Sequence, residues 1–506
     1  MTGMQSNLKM LKLSRWSKTS RALIVLGLVL AAASIVIVAY STAMRHAEAS
    51  AAPKPYAEAP GTTTKRPIKN AQGIIYAPAD PKAYLPGKTI QKWADNFQDD
   101  KIRAHSWQLW AAITARTGQF YSVKDKTGKT TRANLAVFDT WFDEFEIFDS
   151  PPGNCPTPDG CKRARHYHQA RQTASSPSSG GAEVTSFNKY SIEFKQYVDK
   201  FHYNRKETLV ALNNKFIQNN TPLEKRRTEA PPDQATMLKP SFWVIKKDRP
   251  TPMPYWKGTG DTIMGTTDFD RPVVATWEQI VVVDPTGKAK SGVPYTVPLL
   301  NRNGFIQKTY TDYKIVGLDH FYWVPLSQAD VDYIRGGKVF NVWGLKSADI
   351  EVGDLALLVA MHVTTDETAS WTWQTFFWRH DAVADAPPSV KGPFRYFDTV
   401  ATYYFINQDG TPKIGFNPYL ETPIEGPIFM NPQTMRGSHS NCMTCHHAAA
   451  FPTMNQDPSP AFMLQGSYVG TGTITGKEQW FQNRLKTNFM WGMIIQNQSK
   501  PDAPAK

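Results

Sequence analysis

Cysteine is scarce: the 506-residue chain has four, too few for a scaffold built on disulfides. Only one Cys-x-x-Cys pair occurs, with no second pair and no HxxxH, so local motifs do not complete a four-ligand zinc site. The chain has no internal repeat, which excludes solenoids and propellers. It lacks an alternating strand–helix–strand pattern, which argues against a parallel doubly wound sheet. A phosphate loop is also missing: in the stretch from Gly470 to Lys477 the first glycine is misplaced, and Glu478 stands where Ser or Thr is needed.

What is present centres on Ser440-Asn441-Cys442-Met443-Thr444-Cys445-His446-His447. Two cysteines two residues apart, followed at once by histidine, form the attachment pattern for c-type haem. Each thiol can add to one porphyrin vinyl group, leaving His446 to supply the proximal imidazole. A zinc knuckle on Cys442, Cys445 and His446 or His447, or a redox-active CxxC, are the alternatives. The motif predicts one covalent haem c, with Cys442 and Cys445 as thioether positions and His446 on the iron.

The N-terminus predicts export. Lys9, Lys12, Arg15, Lys18 and Arg21 precede an uncharged apolar run from Ala22 to Tyr40. At 19 residues the run is closer to the roughly 20 of a spanning helix than to the about 7–15 of a signal peptide core. An uncleaved inner-membrane anchor through residues 22–40 is therefore favoured. Cleavage near Ala47-Glu48-Ala49, releasing the chain to the periplasm, is the alternative. Haem is attached to CxxCH outside the bacterial cytoplasm, so anchor and motif agree. In that compartment Cys155 and Cys161, in a run of turn formers, are expected to close a small disulfide loop.

The net charge is +13; the first 50 residues carry +5 of it, and the body's remaining +8 is local. Lys162 to Arg227 alone holds 13 basic and five acidic residues. Such a patch suits docking to an acidic redox partner or to anionic headgroups, and equally suits a solvated loop. No nucleic-acid partner is expected.

The pattern of residues predicts an α+β chain in five parts. Residues 1–49 are a signal anchor or signal peptide and 50–87 a linker. Residues 88–231 are a mainly helical region with the disulfide loop and a basic Ser/Gly-rich insert. Residues 232–410 are β-rich and sandwich-like, and 411–506 are a loop-rich haem-bearing segment packed on the body. Helices are expected at Lys101 to Arg116, Phe138 to Phe148, Phe187 to Phe201 and Lys477 to Lys486. Asp139, Asp143, Glu144 and Glu146 are expected on a solvated face. Strands are expected around 241–245, 272–277 and 279–283, with a buried hairpin from 355–363 and 370–378.

A sixth iron ligand would separate an electron carrier from an open-site enzyme. The candidates are Met430, Met435, Met454, Met463, Met490, Met493, His362, His380, His439 and His447, with Met490 and Met493 favoured for lying downstream. His380 could instead act as a distal acid–base residue. The run before the motif, Glu425 to Gly437, carries two prolines and two glycines, unlike the helix that precedes the motif in small cytochromes c.

Together these residues resemble exported bacterial mono-haem proteins of the cytochrome c family. The echoes are the Trp107–Trp110 helix, "TW…EIF" within Phe138–Phe148, and YVDKFHYNRKE from Tyr197. Further on come the Gly353–Val363 strand, "WTWQTFFW" at Trp371–Trp378, and "NPQTMRGSHSNCMTCH". The resemblance implies one attached haem and a periplasmic home, and names no reaction. The expected function is electron transfer. A haem-dependent peroxidase or oxygenase and a haem-sensing binding protein are the alternatives, and no catalytic residue is singled out for either.

Overall fold

The apolar run Leu355–Thr365 (β6) becomes the spine of an eight-stranded sheet. A computed structural model describes residues 67–148, 185–186, 188–256, 279–301, 304–335, 345–421, 441–452 and 474–498. The fold is mixed α+β with several sheets. The other strands of the large sheet are Phe142–Asp143 (β1), Thr185–Ser186 (β2), Lys189–Tyr190 (β3), Thr236–Ile245 (β4), Trp323–Pro325 (β5), Thr372–Trp378 (β7) and Phe397–Ala401 (β8). Their order is β8-β7-β6-β4-β3-β1, with β5 pairing β6 and β2 pairing β4. β6 and β7 form the expected antiparallel hairpin, and both are buried on each face apart from His362. Since β1 and β3 precede residue 231 and β4 follows it, the helical and β-rich regions share one sheet.

One face of this sheet is covered by the helix Asp99–Thr114 (α1), whose first-turn Asp99 and Asp100 suit the positive end of its dipole. Trp107, Trp110 and Ile113 are buried. Trp110 stacks on Phe376 of β7 with centroids 4.1 Å apart, and its indole donates to the Phe394 carbonyl at 3.1 Å. Burying each such side chain contributes about 1.5–3 kcal/mol. Part of the 50–87 stretch is packed as well: Ala83 is buried, and the Trp141 indole donates to the Ala77 carbonyl.

The opposite face carries a second apolar cluster: Tyr190, Trp371, Trp373, the helix Ile192–Phe201 (α2) through Phe194 and Tyr197, and the C-terminal Phe489, Met490 and Met493. The aromatic stripe expected for one helix is thus shared, with Tyr190 delivered by a strand.

Two helix expectations are corrected. Phe138 to Phe148 is a 3₁₀ turn at Val137–Thr140, then β1, then a short helix Glu144–Phe148. Phe142 pairs with Tyr190, so the chain straightens to join the sheet. Its acids do not form a solvated face: Asp139, Asp143 and Glu144 are buried. Asp139 accepts from the Tyr322 hydroxyl and Glu144 from Asn188, so distant partners compensate their burial. Lys477 to Lys486 is likewise no helix. A 3₁₀ turn at Gln479–Phe481 leads through left-handed Asn483 (φ 63°) into Leu485–Lys486 (β10), which pairs with Ala450–Phe451 (β9).

The apolar run 22–40, Cys155, Cys161, most of the basic insert, the 272–277 strand, and Met430, Met435, Met454, Met463 and His439 lie outside the described residues. Among the described residues no helix is long and apolar enough to cross a membrane.

Candidate haem site

Cys442–His447 forms a six-residue helix (α3). Positions 442, 445 and 446 stand at i, i+3 and i+4 and therefore share one helix face. Too short to persist alone, the helix is held by its surroundings. Asn441 is its N-cap, accepting from the Met443 amide at 2.9 Å. The same side chain donates to the carbonyls of Lys413 (2.8 Å), Tyr404 (3.1 Å) and Phe405 (3.4 Å), tying the motif to the loop after β8. Its position just before the helix is the signal by which a capping role could have been read.

His446 is half-buried and its ring centroid lies 4.4 Å from that of Trp373 on β7. Its Nδ1 pairs with the Phe489 carbonyl at 2.8 Å, which requires the proton on Nδ1. Nε2 then carries the lone pair and has no hydrogen-bond partner among the described residues. Burial, reinforced by nearby His362 and Lys239, pushes the imidazole down to about 4, although the bond to Phe489 opposes this. The ring is therefore neutral near pH 7, as a metal ligand must be. Two successive left-handed residues, Asn488 (φ 50°) and Phe489 (φ 69°), place that carbonyl. Asn tolerates the conformation, whereas Phe is strained in it.

Cys442 is half-buried, with Sγ 3.8 Å from the Gly415 carbonyl oxygen. A Cβ at Gly415 would stand 2.8 Å from Thr402 Cγ2 and 3.3 Å from Cys442 Sγ, so glycine keeps the thiol's surroundings open. Nothing in the sequence around Gly415 pointed to this role. His447 turns to other neighbours: its ring lies 4.8 Å from that of Phe489, and its buried Nδ1 has no hydrogen-bond partner among the described residues. Burial, with Lys486 and Arg227 adding to it, pushes its pKa down to about 3.

The remaining candidates divide clearly. Met490 and Met493 are fully buried in the aromatic cluster, and Met490 directly follows the residue that holds His446 Nδ1. His380 lies past the end of β7 remote from Trp373, with Nδ1 2.9 Å from Asp381. His362 is on β6, on the face that α3 covers. Among the described residues no group of three or more His, Cys, Asp or Glu side chains is placed to hold a metal ion.

The site fits a c-type haem on its donor chemistry: a neutral imidazole with Nδ1 tethered and Nε2 unpartnered, beside the cysteine positions, among aromatic rings, with a glycine beside one thiol. No protein-family model, curated protein or solved structure matches the chain.

Proposed function

We propose that this chain is an exported c-type cytochrome, of the mono-haem kind its sequence resembles, that transfers electrons to a periplasmic or membrane redox partner. Cys442 and Cys445 would hold the haem through thioethers, and His446 Nε2 would ligate its iron. When bound, the haem supplies a one-electron iron couple. The Phe489 carbonyl, accepting from His446 Nδ1–H, orients the imidazole and would raise its basicity toward iron. Residues 22–40 anchor the chain in the inner membrane, the β-rich body and C-terminal segment clamp the haem between them, and the local basic excess docks an acidic partner.

The observation that carries this reading is the His446–Phe489 bond on a helix that also bears both cysteines. The test is covalent haem on a denaturing gel of the exported chain. Wild type should retain haem and the Cys442→Ala, Cys445→Ala double variant should lose it; retention in the variant overturns the reading. Rapid CO or cyanide binding by the wild-type protein would instead favour an open-site haem enzyme.

A further inference from the structure

Strand register places two rows of side chains on the sheet face beneath α3. Met237 opposes Thr364, Thr364 opposes Trp373, and the Thr402 amide bonds the Trp373 carbonyl at 2.8 Å. Two residues along, Lys239 opposes His362, His362 opposes Thr375, and Thr375 opposes Val400. Side chains alternate along a strand, so both rows project from the same face. Successive rows lie about 6.6–6.8 Å apart and neighbouring strands about 4.8 Å.

The first row supports the motif helix: His446 packs on Trp373, and Cys442 lies beside Gly415 and Thr402. The second row is the more open. Thr375 is covered by Asn417, which donates to its hydroxyl at 2.6 Å, while Lys239, His362 and Val400 keep part of their surface accessible. In the eleven residues of β6, His362 is the only one not fully buried. A histidine in this mostly apolar, buried strand is there at the expense of packing, and this one stands one row from the residue that supports His446.

We propose that His362 is the second axial ligand of the haem iron, opposite His446. The assignment rests on the haem reading above and deepens it, making the protein a bis-histidine electron carrier with no vacant iron position. It also accounts for the placement of the other candidates. Met490 and Met493 serve the core around Phe489, and His380 is held at the other end of β7.

The test uses the haem-loaded full-length protein. The ferric wild type should be low-spin by electron paramagnetic resonance, with two imidazole ligands and without the near-infrared band of thioether-bound iron. His362→Ala should become high-spin, bind CO when reduced, and return to low spin on adding imidazole. Met237→Leu, Met490→Leu and Met493→Leu should leave the spectrum unchanged. A thioether band in the wild type, a low-spin His362→Ala protein, or a spectral change in a methionine variant overturns the proposal while leaving covalent haem intact. If His362→Ala fails to fold, His362→Met and the wild-type spectrum decide it. Absence of covalent haem from the wild type would overturn both readings together, and the denaturing gel tells that failure from the others.

Discussion

Trp373 and His446 lie 4.4 Å apart between ring centroids, so an aromatic contact fastens the CxxCH helix to β7 of the large sheet. Trp373 is also within 6.2 Å of Phe489, the residue whose carbonyl holds the imidazole. Trp373→Ala removes both supports and should destabilise the protein by about 3–5 kcal/mol in urea unfolding. Trp373→Phe, which keeps a ring, should lose less.

Asn441 meets four backbone groups with one amide side chain. Asn441→Ala should cost about 1–3 kcal/mol, since it deletes a cap and takes the side-chain donor away from the half-buried Tyr404 and Lys413 carbonyls. Asn441→Asp keeps the cap acceptor but sets a carboxylate against three carbonyls. Unfolding curves should therefore rank Asp below Ala; the reverse order would mean that capping alone matters.

At Gly415 the limiting contact is with Thr402 Cγ2. Gly415→Ala should destabilise by about 1–3 kcal/mol through overpacking and lower the yield of attached haem. Adding Thr402→Ser removes the offending methyl and should restore much of both. No restoration would place the strain at Cys442 Sγ instead.

Lys486 has almost no exposed surface, and burial, with Arg227 adding to it, pushes its pKa down to about 7. An unfolded lysine titrates near about 10.4. Below pH 7 the folded protein therefore bears a buried ammonium that is readily solvated in the unfolded chain. Between pH 7 and that unfolded value the penalty fades, because the unfolded state binds the extra proton and stability rises with pH. Lys486→Met should stabilise the protein by about 1–4 kcal/mol below pH 7. The advantage should vanish as pH approaches the unfolded value. An advantage that does not change with pH would show that packing, not charge, is responsible.

The sequence was most readable where local pattern and tertiary role coincide. The Leu355–Thr365 and Thr372–Trp378 strands carry apolar residues on both faces because both faces are buried apart from His362, and Asp99–Thr114 keeps its aromatic residues on the side that meets Phe376. It misled where partners come from far away. The spacing of Phe138, Trp141, Phe142 and Phe145 fits a helix, yet pairing with Tyr190 straightens the chain. Asp139 reads as a surface acid because its partner, Tyr322, lies 183 residues onward. At the site, the CxxCH helix follows from its motif. Gly415, Trp373 and the Phe489 carbonyl serve it through contacts between distant segments, which no local spacing encodes.

The way Asn441 is held also has a consequence for timing. A six-residue helix does not form in isolation, and the three carbonyls that Asn441 binds belong to residues 28 to 37 positions earlier. Until that loop and the sheet beneath it are in place, the CxxCH stretch is an open, extended peptide with both thiols reachable. Once they are, Cys442 is half enclosed and His446 is fixed from behind. On the haem reading proposed above, attachment would then be easiest in the interval before that loop and sheet close over Cys442.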